Sequence, residues 1–189
     1  MNHQIKYYGK VAGNHPRVGT SAAASASAPI VGYLTLGNAL GVDSNTFTSF
    51  NSTTIVVGNG GDSNSTSGDN YVMYCFAPIA GYSAIGSYTG NGSADGPFLF
   101  TGFRPAYVLI KQSSDVNSWF VWDSSRSSYN SASATLKPNS ADAEETSYSI
   151  DILSNGFKIR TSDTRQNTVA GTYIYMAFAE NPFKYSLAR

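Results

Sequence analysis

Tyr71-Val-Met-Tyr-Cys-Phe-Ala77 returns later in the chain as Tyr173-Ile-Tyr-Met-Ala-Phe-Ala179. Upstream of it, the alternating run 50–57 returns without a gap at 152–159. Downstream, Tyr82-Ser83 returns as Tyr185-Ser186 after one inserted residue. An internal repeat of this kind fixes the architecture before any single motif is read. It also lets a candidate functional residue in one copy be checked against its counterpart in the other.

The repeated segments alternate with period two, the spacing of strands. Further strands are expected at 33–36, 47–50, 53–57, 98–100, 107–111 and 119–123, and a hairpin is expected around Ser154-Asn-Gly156. Both faces of the run 71–77 are apolar, which predicts a central strand covered on both sides. Residues 87–93 read as turn, and a single helical turn is conceivable at 142–145. Seven strands are expected in the second copy, while the first shows only the last four or five. The opening hairpin of the first copy is therefore supplied either by the preceding segment or by a neighbouring molecule.

Composition agrees with β-structure. Tyr (13) and Phe (10) outnumber Trp (2), and only 13% of the 189 residues are charged, so Ser, Gly, Thr and Asn carry the polarity. The formal net charge is zero, and no Lys or Arg occurs between Val18 and Phe103. That removes the basic field a nucleic acid needs. No apolar run is long enough to span a membrane as a helix, and the N-terminus does not read as a secretory signal. Both histidines, His3 and His15, lie near the start, so Ser–His–Asp chemistry and most zinc sites have no histidine to use.

Cys75 is the only cysteine, and its counterpart is Ala177. A small buried residue fits both positions. The loop holding Asp62, Asn64, Ser65, Asp69 and Asn70 offers oxygens for calcium, but the matching loop carries Arg165 beside Asp163. No metal or other cofactor is therefore expected. Glycoside chemistry would need two carboxylates, drawn from Asp115, Asp123, Asp142, Glu144, Glu145 and Asp151. Trp119, Trp122, Asp123 and Tyr129 are the candidate ligand-binding set, because aromatic rings beside a carboxylate suit a sugar. Against this, the Trp pair must point to opposite faces of a strand, and Asp123 can pair locally with Arg126. No catalytic residue stands out, and no enzymatic activity is expected.

The second copy resembles a β-rich domain of unknown function that recurs in tail-fibre and other virion proteins of marine and cyanobacterial tailed phages. The residues that carry the likeness are Gly81-Tyr-Ser, Gly86-Ser-Tyr-Thr-Gly-Asn-Gly-Ser93, Asp95-Gly-Pro97 and Thr101-Gly-Phe-Arg-Pro-Ala106. They continue with residues 119–126, Leu153-Ser-Asn-Gly-Phe-Lys158 and residues 171–183. The likeness is strong over residues 71–186 and weaker over 33–70.

These readings give an all-β chain of tandem antiparallel β-sandwich subdomains, jelly-roll or lectin-like, with an extended N-terminal arm. The expected divisions are an arm at 1–32, a truncated first repeat at 33–85 and a complete second repeat at 86–189. The resemblance implies a structural protein of a phage particle, a tail-fibre or tail-adhesin component. A capsid decoration protein anchored by the arm and a carbohydrate-binding or carbohydrate-active module are the alternatives. Expected partners are other virion proteins, copies of the chain itself (a trimer among the oligomers considered) and a host-surface glycan, without nucleic acid or membrane insertion.

Overall fold

A computed structural model describes the backbone of residues 4–10, 17–22, 30–35, 41–42, 47–50, 54–58 and 71–182, and the side chains of residues 54, 56–58 and 74–182. Among these residues the chain is nearly all β, with antiparallel sheets and one helical turn. It forms two compact units, Met1–Ala77 and Pro78–Arg189.

Unit 1 contains β1 (Gln4–Lys10), β2 (Arg17–Ala22), β3 (Ile30–Thr35), β4 (Gly41–Val42), β5 (Phe47–Phe50), β6 (Ile55–Val57) and β7 (Tyr71–Cys75). Its main sheet runs β4-β3-β2-β1-β7, and β5 and β6 form a separate hairpin. The segment expected as an extended arm therefore supplies strands. β1 pairs with both β2 and β7, and β2 pairs with β3. Backbone N–H and C=O groups need partners, and a β7 edge offers them to any extended segment that can reach it. Two further expectations are corrected. β7 closes one end of its sheet instead of lying in the middle, and Cys75 is exposed instead of buried. The Asp62–Asn70 loop lies outside the described residues.

Unit 2 contains β8 (Ser83–Thr89), β9 (Phe98–Phe100), β10 (Pro105–Gln112), β11 (Trp119–Asp123), β12 (Ile150–Leu153), β13 (Gly156–Ile159) and β14 (Thr172–Ala179), with the helical turn α1 (Thr164–Asn167) before β14. Because β8 pairs with β14 along its whole length, residues 83–85 belong to this unit, ahead of the boundary expected at 86. Residues 87–89, read as turn, are strand. The glycine just before them has a packing reason: a Cβ on Gly86 would sit 2.9 Å from Cε1 of Tyr175. The helical turn forms at Thr164–Asn167, where Asp163 caps it by accepting from the Arg165 amide, and residues 142–145 form none.

The registers of the two units correspond. Lys6 stands opposite Cys75 as Val108 stands opposite Ala177, and Lys10 opposite Tyr71 as Gln112 opposite Tyr173. The hairpins β5–β6 and β12–β13 fall on the repeated runs 50–57 and 152–159. The chain thus supplies a hairpin to the repeated strand in each unit: β1–β2 for β7 and β10–β11 for β14.

Two sheets of unit 2, β11-β10-β14-β8 and β12-β13-β9, share one hydrophobic core. Val108, Ile110, Phe120, Trp122, Tyr173, Tyr175 and Ala177 come from one face of the first. Leu99, Ile150, Ile152, Phe157 and Ile159 come from one face of the second. Alternation along each strand puts these residues on a single side. Rings meet at defined angles across the core: Phe157 lies edge-on to Tyr175 at 5.3 Å, Phe120 edge-on to Tyr148 at 5.2 Å, and Tyr88 stacks on Tyr173 at 4.7 Å. The unit is sandwich-like in this sense, with an apolar layer between two sheets.

Gly156 opens β13 where that strand meets β9. A Cβ there would lie 2.1 Å from the Leu99 carbonyl oxygen. Backbone cannot move aside as a side-chain tip can. Gly156→Ala is therefore expected to lower the unfolding free energy in urea by about 2–3 kcal/mol, whereas Ser154→Ala in the same hairpin changes it by less than about 0.5 kcal/mol. Equal effects from the two substitutions would remove the steric explanation.

Candidate functional site

The four residues proposed for ligand binding are separated by burial. Trp122 is fully buried and donates its indole N–H to the Tyr148 carbonyl at 3.4 Å. Trp119 is 5% exposed, and its backbone N–H donates to Asn139 Oδ1 at 2.8 Å. Neither ring offers a face to a sugar. β11 is covered on both sides, so the two indoles pack on opposite faces of one strand. Tyr129, at 88% exposure, is the one member of the set with a free ring.

Asp123 ends β11 and organises the turn that follows. Its Oδ1 accepts from the amides of Ser125 and Arg126 at 3.1 and 2.8 Å, and its Oδ2 accepts from the Arg126 guanidinium. Partial burial pushes this carboxyl up, but the Arg126 and Ser125 donors outweigh it and hold it below the usual range. Arg126 also reaches Glu144 at 2.7 Å, so one guanidinium joins two carboxylates. The other candidate carboxylates are also engaged. Lys137 holds Asp142 at 3.1 Å and also Glu145; Arg160 pairs with Asp151 at 3.3 Å; Asp115 accepts from the Val116 amide at 2.7 Å. A general acid needs a carboxyl kept protonated near neutrality. Asp123 and Asp142 are shifted the opposite way.

The loops at one end of unit 2 depend on buried amides that the sequence did not single out. Asn167 is fully buried. Its Oδ1 accepts from the Asn91 amide at 2.8 Å, and its Nδ2 donates to Asn91 Oδ1, the Ser93 carbonyl and the Thr161 carbonyl at 3.0, 2.7 and 2.9 Å. The Asn167 carbonyl in turn accepts from the Gly92 amide. Residues 90–93 are thus fastened to the α1 turn, and Gly92 supplies the positive φ (70°) that their path requires. Gln166 beside it is buried, with no hydrogen-bond partner at either side-chain atom. Asp163 caps the turn that presents both amides and pairs with Arg165 at 3.0 Å.

Lys111 is also fully buried, opposite Trp119. Its ammonium donates to the Gln112 carbonyl and, at 3.2 Å, to the Asp115 carbonyl, holding the 112–118 hairpin loop closed. Burial lowers its pKa to about 8, against a smaller opposing pull from Asp115. Among the described residues there is no group of three His, Cys, Asp or Glu side chains placed to hold a metal ion. No described helix is long and apolar enough to cross a membrane.

Outside the core, unit 2 exposes apolar side chains at a few points. Phe98 and Phe100 are 47% and 67% exposed on β9, and Val116, Tyr129 and Val169 stand on loops. β9 lies at the end of its sheet, and Leu99 between the two rings faces the core.

Fold and side-chain inventory define an all-β protein of antiparallel sheets, with polar loops tied by amide networks. Within that class, the chain belongs to the family described as a domain of unknown function, DUF7483, which spans residues 12–182. No curated protein and no solved structure matches it.

Replacing Asn167 by Ala strands the Asn91 amide and three acceptors, and is expected to cost roughly 2–4 kcal/mol in urea unfolding. Asn167→Asp, which turns the Nδ2 donor into an acceptor facing three oxygens, is expected to cost at least as much. A loss below about 0.5 kcal/mol in both variants would show that the network is dispensable.

Stability is also expected to depend on pH in the alkaline range. The folded chain holds Lys111 near 8, below its unfolded value of 10.5, so the unfolded chain binds more protons in between. Unfolding free energy therefore rises from about pH 8 towards pH 10. Burial raises the phenols of Tyr88, Tyr107, Tyr148, Tyr173 and Tyr175 above their ordinary 10. Their contribution is complete below pH 10 and is lost above it, so stability turns downward there. In Lys111→Met the rising limb is expected to vanish while the fall remains. A rising limb that survives in this variant would exclude Lys111 as its source.

Proposed function

We propose that this chain is a structural protein of a bacteriophage particle, a component of a tail fibre or tail adhesin built from tandem, jelly-roll-like β-sandwich repeats. Its work is assembly with copies of itself and with other virion proteins, and contact with a host surface. The observation that carries this reading is the fate of the chemical side chains. Both indoles are buried, the candidate carboxylates are engaged by cations or an amide, and the buried Asn167 and Lys111 fasten loops. What unit 2 leaves to a partner is an apolar sheet edge and exposed rings. The likeness to virion proteins over residues 71–186 supports the same reading.

The decoration alternative relied on an anchoring arm. Pairing of β1, β2 and β3 inside unit 1 takes that support away. Of the four residues of the sugar-binding alternative, only Tyr129 keeps an exposed ring.

The test is location. In purified particles of the phage that encodes the chain, mass spectrometry of separated tails and capsids is expected to find it with the tails. Its recovery with capsids would move the assignment to the shell, and its absence from both would end the virion reading. On a glycan array, Tyr129→Ala is expected to bind as the native chain does. A signal lost only in this variant would reinstate a sugar site.

A further inference from the structure

The edge of β9 carries a second inference, which deepens the assembly reading and rests on it for the crowding at which a small contact is occupied. Ile159 donates to the Pro97 carbonyl and Thr101 to the Asn155 carbonyl. In an antiparallel ladder the bonded pairs alternate, so Leu99 and Phe157 form the bonded pair between these two. The N–H and C=O groups of Phe98 and Phe100 therefore point away from β13. Among the described residues nothing bonds to them, and both rings stand exposed on the outer side.

The opposite edge of the same sheet is treated differently. On β12, Ile150 exchanges backbone bonds with Ala132, and Ile152 donates to Asn130 Oδ1 and accepts from Asn130 Nδ2. β9 is protected only by its shortness and by Pro97 ahead of it, not by charge. It has no charged residue, and its neighbour Lys158 is held by Asp95 at 2.6 Å.

We propose that β9 is a self-pairing edge, joining two copies of the chain about a two-fold axis at Leu99. The edge is three residues long, between Pro97, which has no N–H, and the left-handed turn at Gly102 (φ 81°). Antiparallel pairing centred on Leu99 sets Phe98 of each copy against Phe100 of the other. Each such pair exchanges two backbone hydrogen bonds, so all eight outward groups are satisfied, and four rings gather on one face of a continuous six-stranded sheet. A shift of two residues pairs only one Phe per strand. The edge is thus complementary to itself in one register. The contact covers on the order of 500 Å² in total, below the roughly 1,000 Å² of a stable dimer. It is weak in dilute solution and becomes effective where many copies are held together.

The test traps the register. Cys75→Ala, the residue found in the other repeat, removes the native thiol. Phe98→Cys and Phe100→Cys are then made separately in that background and oxidised alone and as a mixture. The bonded pair brings the two positions to about 5.5 Å between Cα atoms, whereas like positions lie roughly 8 Å apart. The mixture is expected to give about ten times more disulphide-linked dimer than either variant alone or a Tyr129→Cys control. Equal yields in all samples would overturn the proposal. In sedimentation at about 1 mM, the native chain is expected to show reversible dimer, and the Phe98→Lys, Phe100→Lys double variant only monomer. Dimer persisting in that folded variant would also overturn it. Both measurements use purified protein. A chain that pairs in this way yet is missing from particles sinks only the virion reading.

Discussion

The edge-on contact between Phe157 and Tyr175 joins the two sheets of unit 2, and the rest of the unit is arranged around it. Tyr175 belongs to β14, which is central in its sheet, and Phe157 to β13, which is central in the other. Each ring is two residues along its strand from others facing the same core, so fixing this pair fixes which face of each sheet is inside. Gly86 then has to be glycine because β8 passes the Tyr175 ring, and Gly156 because β13 passes the β9 backbone. Two glycines in strands, normally a cost, are here the condition for large rings on the neighbouring positions.

Low charge sends the remaining specificity into neutral hydrogen bonds. With 13% charged residues, the chain cannot set its loops by ion pairs throughout. It uses Asn167 as a node joining three segments, and the hydroxyls of Tyr88 and Tyr173 bonded to the carbonyls of Gln166 and Thr164 at 2.7 Å each. Such bonds are directional and insensitive to salt, which suits loops that must keep one shape. The ion pairs that exist are surface clips at turns, such as Asp163–Arg165, and contribute less.

The strand content and the repeat were legible in the sequence because period-two alternation of large apolar residues has one cheap reading. β9, β10, β11 and the β12–β13 hairpin fall where alternation placed them. β8 was not legible: Ser87, Tyr88 and Thr89 beside Gly86 look like turn until Tyr175 is known to need the space. A short strand at 4–8 and one at 33–36 could be read locally and overlap β1 and β3, whereas β2 was hidden, since Arg17–Ala22 is made of small and polar residues without apolar alternation. Burial was the least legible property. Trp119 and Trp122 invite a ligand when read alone, yet β11 carries apolar cover on both faces and consumes both rings. Asn167 could not be found from its neighbours, because most of its partners are on Asn91 and Ser93, far back in the chain.

The contrast between the two edges of the three-stranded sheet bears on what an all-β chain of this kind leaves open. The β12 edge is closed by Asn130 acting as a substitute backbone, with one donor and one acceptor on Ile152. The β11 edge is closed by Leu136, which exchanges both its backbone bonds with Val121. Closing an edge therefore takes only a few residues of loop, and this chain does so twice. β9 has a loop on each side that could do the same, yet it keeps four backbone groups and two phenyl rings facing outward. A lysine at Phe98 or Phe100 would protect the edge at little cost in the core, because both positions point away from it. Among the described residues β8 also ends its sheet with no such loop across Ile85, Ser87 and Thr89, so what sets β9 apart is an open edge that carries two exposed rings, a surface suited to something that completes the sheet.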